Sequence, residues 1–146
     1  MPLDNCSFLP YPETPHPVLP VIIHNPHTGK YWRTYGIIDT GADECAIPAW
    51  IAAKLGHDLE QGRRSNATTG GGESVAYAHT TSIDIFHPQK DGKAVYTLSN
   101  IPVDYMPDLD IVLLGVRSFL SEFVLTIDYP RFRFSIKYPE VDARGV

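Results

Sequence analysis

Ile37-Ile38-Asp39-Thr40-Gly41-Ala42-Asp43 decides how this chain is read. Two β-branched apolar residues suit the end of a buried strand. They run directly into an acid, a small hydroxyl residue and a glycine, which is turn chemistry. Alone, the Asp-Thr-Gly triplet marks only a strand exit. Its surroundings give it more weight. A glycine-rich turn, Gly70-Gly71-Gly72, leads a long amphipathic stretch, and an apolar run closed by glycine, Leu113-Leu114-Gly115, follows near the C-terminus.

Working outward, Val18 to His24 and Lys30 to Ile38 read as two strands joined by the turn residues Asn25-Pro26-His27-Thr28-Gly29. After the Asp39 segment comes the best helix of the chain, Ala49 to Leu55, with Pro48 at its first position and Gly56 as its stop. Residues 57–69 are polar and read as irregular. From Val75 the period is two: Val75, Tyr77, Thr81, Ile83 and Ile85 share one face of a long half-buried strand. Asp91-Gly92 signals a hairpin, and Ala94 to Val103 is its returning strand. Ile111 to Leu114 is a short buried strand ending at Gly115. Phe119 and Phe123, four apart, suit one helical turn. Leu125 to Tyr129 and Arg131 to Tyr138 form a last hairpin, in which Phe132, Phe134, Ile136 and Tyr138 alternate with polar residues. The expectation is about seven strands and two short helices, one after the Asp39 loop region and one after the second glycine motif. That is a mostly β chain, a small closed or partly closed barrel.

The 146 residues suit one domain. Five prolines in residues 1–17 exclude a helix there and leave an extended arm. The domain itself spans 18–138, and 139–146 is a tail. Hydrophobic residues at 43% and charged residues at 20% exclude a disordered chain. The net charge of −5 is spread over both halves, so no basic footprint for nucleic acid exists. Ile111 to Val116 spans six residues, far short of the ~18–20 that a membrane crossing needs. The start, Met1-Pro2-Leu3-Asp4-Asn5, lacks a basic segment followed by an apolar one, so no secretory leader is expected. A cytoplasmic location follows, with Cys6 and Cys45 as reduced thiols and the Asn66-Ala67-Thr68 sequon unused.

The ordered set of elements resembles the retroviral-type, or retropepsin-like, aspartic proteases, and a single-domain cellular or prokaryotic member in particular. The resemblance runs from about Val18 to Lys137. Ile37 to Asp43 is similar to the catalytic motif, Ala67 to Ser74 to the flap tip, and Leu113-Leu114-Gly115 to the second hydrophobic-hydrophobic-Gly motif. It implies an acid protease fold and an aspartic endopeptidase with Asp39 as the catalytic acid. Thr40 and Gly41 would support the catalytic loop. Ala42, Asp43, Gly70, Gly71 and Gly72 would bind substrate, and Leu113, Leu114 and Gly115 would brace the site. In one departure, the family often has Arg directly after the second glycine, where this chain has Val116 and then Arg117.

The chemistry agrees with that assignment. Hydrolysing a peptide bond without a metal or a nucleophilic side chain takes an activated water. Two carboxylates sharing one proton supply it, one as general base and one as acid. Asp39-Thr40-Gly41 occurs once, and a chain with two such motifs needs about twice this length. Each chain therefore brings half a site, and a two-fold axis between protomers completes it. The implied partners are a peptide or protein substrate and a second copy of the chain. No cofactor is implied. His16, His24, His27, His57, His79 and His87 lack the matched pairs of a metal site, and Cys45 reads as a small buried residue. The competing readings are a non-catalytic peptide-binding or dimerisation module on the same fold, and a metal-dependent hydrolase, which a chelator would inhibit.

Overall fold

The computed structural model describes residues 3–69 and 72–140, with the backbone alone for 67–69. In chain order the strands begin with β1 (Leu3–Ser7), β2 (Leu9–Pro10), β3 (Pro15–His16), β4 (Val18–His24), β5 (Tyr31–Ile38) and β6 (Ala46–Pro48). Helix α1 (Ala49–Lys54) and a 3₁₀ turn (Leu59–Gln61) lead to β7 (Arg63–Thr69), β8 (Gly72–Ile85), β9 (Tyr96–Met106) and β10 (Val112–Leu114). A second 3₁₀ turn (Leu120–Glu122) precedes β11 (Val124–Asp128) and β12 (Arg133–Lys137).

Six strands form a ring of hydrogen-bonded neighbours in the order β4, β5, β10, β6, β9, β8, closed by pairing of β8 with β4. The sequence of β4 explains its place. Leu19, Val21 and Ile23 are buried while Pro20, Ile22 and His24 are only partly covered. Pro20 has no N–H to give, and β8 pairs with β4 only from Val21 onward. Inside the ring lie Ile38, Ile47, Ile83, Ile85, Leu98, Val103, Tyr105 and Leu114, all buried. Each such aliphatic side chain contributes about 1.5–3 kcal/mol relative to exposure.

Helix α1 is short, and its end is held by side chains rather than by length. Asn25 Nδ2 and Thr28 Oγ1 both donate to the Leu55 carbonyl, at 2.8 and 2.9 Å. They satisfy an acceptor that a helix C-terminus otherwise leaves open. Gly56 then turns the chain with φ +76°. Pro48 is not the first helical residue as expected. It remains in β6 with φ −54° and ψ 133°, one residue before the helix.

The largest departure from the sequence reading is at residues 57–69. They are not irregular: they hold the 3₁₀ turn and β7, which pairs antiparallel with the first half of β8 from Arg63↔Ala78 to Thr69↔Gly72. This hairpin stands outside the ring. The burial face of β8 changes along its length in consequence. Thr81, Ile83 and Ile85 face the core as expected, but nearer the hairpin Ser74 and Ala76 are buried rather than Val75 and Tyr77. There Ala76 packs with Ala46 and Met106 in a separate cluster.

The proline-rich first segment is extended and belongs to the body. Its β1 joins β12 and β11 in a three-stranded sheet of order β1, β12, β11. Leu3, Cys6, Phe134 and Ile136 fill the covered face. The strand expected over Ala94 to Val103 runs from Tyr96 to Met106. Among the described residues no helix is long and apolar enough to cross a membrane.

Candidate active site

Asp39 follows the last residue of β5. Its backbone N–H donates to the Leu114 carbonyl at 3.0 Å, so the loop is tied at its first residue to β10. One carboxylate oxygen, Oδ1, accepts the Gly41 N–H at 2.9 Å, and the Asp39 carbonyl accepts from Ala42 at 3.2 Å. The side chain is thus oriented by its own turn. Among the described residues no second carboxyl group shares a hydrogen bond with it. Thr40, Gly41 and Asp43 are exposed.

Strand β10 is what holds this loop. It runs parallel to β5, with Leu113 opposite Ile37 and Leu114 opposite Ile38, and its other side meets β6 at Ala46. The Asp39–Cys45 loop links β5 to β6, so β10 lies between the two strands that the loop joins. Beyond β10 the contact continues. Val116 donates to the Ala42 carbonyl at 2.9 Å and Arg117 to the Asp43 carbonyl at 2.8 Å. Gly115 N–H points at Cys45 Sγ, 3.4 Å away, and burial pushes that thiol up to about 11.

The two leucines divide their work. Leu114 is buried beneath the loop. Leu113, one residue earlier and on the opposite face, lines the cleft beside Asp39 instead of lying under it. This cleft has a volume of about 630 Å³. Gly41, Ala42 and Asp43 line it from the loop, Ser65 and Asn66 from β7, and Met106 and Leu109 from the far wall. A second cavity of about 490 Å³, between Tyr35 and the 86–92 loop, contains none of the candidate residues.

Two acids that the sequence reading did not single out also line the cleft, Glu44 and Asp104. Glu44 Oε1 accepts from Arg117 Nη1 at 3.3 Å, so the displaced arginine does reach an acid beside the loop. Burial, and after it the Glu44 charge, push the Asp104 carboxyl up, with Arg63 opposing. Glu44 lies in the loop before β6, where no period applies, and Asp104 is a half-covered position between the buried Val103 and Tyr105 of β9.

A sequence model of the aspartyl protease family matches residues 33–117, more than half of the chain. The chain belongs to the aspartyl protease family. Its fold is retropepsin-like: it resembles the crystal structure of a retropepsin-like aspartic protease from Rickettsia conorii, with a TM-score of 0.53 and 28% identity over 83% of this chain and 92% of that one. No curated protein matches significantly. The matched region begins within β5 and ends at Arg117, so it contains the Asp39 loop, the β7–β8 hairpin and β10. Gly70 and Gly71, expected at the hairpin tip, lie outside the described residues. Gly72 opens β8 with φ +110°, a conformation that favours glycine. Among the described residues no three His, Cys, Asp or Glu side chains are grouped to hold a metal ion.

Proposed function

We propose that this chain is one half of an aspartic endopeptidase, with Asp39 from each of two protomers forming the catalytic pair. The observation that carries the reading is the Asp39 carboxylate itself. It is oriented by the Gly41 N–H, it borders a cleft large enough for several residues of peptide, and it has no carboxyl partner among the described residues of its own chain. Gly41 supports the same reading. Among the described residues a Cβ there would meet only Asp39 Oδ1, at 3.3 Å, so none of them requires glycine. A second loop packed across a two-fold axis does.

In the assembled site one Asp39 is ionised and takes a proton from water. The other is protonated and donates to the scissile carbonyl oxygen. Two carboxyl groups in contact cannot both ionise cheaply, so they titrate as a pair with separated apparent values. The substrate lies extended between the loop and the β7–β8 hairpin, which acts as the flap and excludes water when closed. Ala42 and Asp43 face its backbone on one side, and Gly70, Gly71 and Gly72 are assigned to bind it from the other. Leu114 and Gly115 keep the acid loop in place, and Leu113 borders the substrate.

The test is cleavage of a peptide library by the wild-type chain and by Asp39→Asn. Loss of cleavage with an unchanged circular dichroism spectrum is the expected result. Retained cleavage refutes the assignment, and cleavage abolished by a chelator points to a metal-dependent hydrolase. Binding of a statine-type transition-state mimic without any turnover by wild type favours the non-catalytic peptide-binding module.

A further inference from the structure

At the root of the β7–β8 hairpin two imidazoles are stacked. His57 follows helix α1 and His79 stands on β8, with ring centroids 4.5 Å apart and planes inclined by 34°. Tyr105 of β9 meets both rings edge-on at 5.5 Å. Its hydroxyl is occupied elsewhere, by Thr81 Oγ1 at 2.8 Å.

Hydrogen bonding fixes the protons on both rings. His79 Nε2 lies 2.9 Å from the Leu59 carbonyl, which can only accept, so this nitrogen carries a proton and donates. Asn25 is oriented at both ends of its amide: Nδ2 donates to the Leu55 carbonyl and Oδ1 accepts the His27 N–H at 2.9 Å. Its Nδ2 also lies 3.4 Å from His57 Nδ1, which must then accept. The His57 proton therefore sits on Nε2, a buried atom with no hydrogen-bond partner among the described residues. A second proton on this ring has nowhere to go. On Nδ1 it would confront the Asn25 donor, and the cation would stack on a neighbouring imidazole.

The described residues around the stack offer the cation no counter-charge. Facing the stack are His79 from β8, Tyr105 from β9, and Asn25 and His27 from the β4–β5 turn. Asp58 and Glu60, on the segment itself, are exposed, as are the flanking cations Lys54 and Arg63. No carboxylate among the described residues bonds either ring. Burial first, then His79 and His27, depress His57 from 6.5 to about 4.

The stack also grips the chain that leads into β7. His79 holds Leu59 by its carbonyl, and its ring lies so close to Gly62 that a Cβ there would be 2.6 Å from Nε2. One residue later β7 begins. We propose that the His57–His79 stack is a proton-operated latch on the flap hairpin. With His57 neutral, the 57–62 segment is locked to β8 and anchors β7. Between pH 8 and pH 5 His57 gains its proton only when the segment separates from β8, and separation frees the root of the hairpin. The latch is a property of the hairpin alone, so its failure leaves the Asp39 reading untouched.

The experiment is hydrogen exchange, expressed as protection factors, on the full chain between pH 8 and pH 5. The reporters are the amides of His57, Gln61 and Gly62, which donate to Ala52, Asp58 and Leu59, together with those of β7. If the separated segment has an ordinary imidazole, its population rises about thirtyfold over that range. The expected result is that loss in wild type and a flat response in His57→Phe, which keeps a ring but cannot titrate. Constant protection in wild type, or an equal loss in the variant, overturns the proposal. Should His57→Phe fail to fold, the ring-proton resonance of His57 in wild type decides: a midpoint below pH 5 supports the latch, and a midpoint near 6.5 overturns it.

Discussion

Gly115 lies against the carbonyl oxygen of Glu44, with no room for a side chain between them. A Cβ built there would stand 2.7 Å from the Ala42 carbonyl oxygen and closer still to that of Glu44. Both obstacles are backbone, and both belong to the loop that carries Asp39. The glycine of Leu113-Leu114-Gly115 is therefore a spacer that lets the acid loop sit down on β10.

Gly115→Ala is expected to destabilise the chain by at least the 1–3 kcal/mol typical of overpacking, about 2–4 °C in melting temperature for each kcal/mol. Gly36→Ala is the comparison. There a Cβ would meet Leu114 Cγ at 2.8 Å, a side chain instead of backbone, so the loss should be smaller. Thermal melts of the two variants check the order, and equal losses would contradict this account of Gly115.

Gly41→Ala separates protomer from assembly. The substituted protomer should unfold within about 0.5 kcal/mol of wild type, since the new methyl meets only one carboxylate oxygen. If two Asp39 loops meet across a two-fold axis, the same methyl should drive sedimentation toward the monomer and reduce peptide cleavage at least tenfold. An unchanged sedimentation profile with full cleavage would rule out a loop-to-loop interface.

Tyr105 gives a pH prediction with a definite sign. Burial pushes its phenol up to about 12, opposed by the Thr81 bond. The fold favours the neutral form, so the stability this group contributes is intact below pH 10 and is lost as pH rises from 10 to 12. Tyr105→Phe should remove the latest phenolate step in an absorbance titration of the eight tyrosines. It should also cost about 0.5–1.5 kcal/mol at neutral pH through the lost hydrogen bond. A late step that survives the substitution would assign it to another tyrosine.

The parts of the fold legible in the sequence are those where one face is dry. Leu19, Val21 and Ile23 alternate because the ring has an inside, and Phe134 and Ile136 do so because β1 covers them. Strand β7 was not legible. Arg63-Arg64-Ser65-Asn66 is polar throughout and exposed, and it is a strand only because β8 extends past the ring and offers it an edge. At three residues, β6 is too short to show a period. Around the acid loop, Asp39 and Gly115 were readable from their motifs. Glu44, Asp104 and the histidine stack were not, because each owes its role to a neighbour distant in sequence: Arg117, Arg63 and Tyr105.

The insertion of β10 between β5 and β6 has a consequence for biogenesis. No local hairpin can build the acid loop, because its floor is supplied some seventy-five residues downstream, by Leu114. During translation the loop stays without support until that stretch has emerged from the ribosome. The anchored form of the loop is therefore acquired late, after most of the polypeptide has been synthesised, and a prematurely terminated product lacking β10 has nothing beneath Asp39 to hold it.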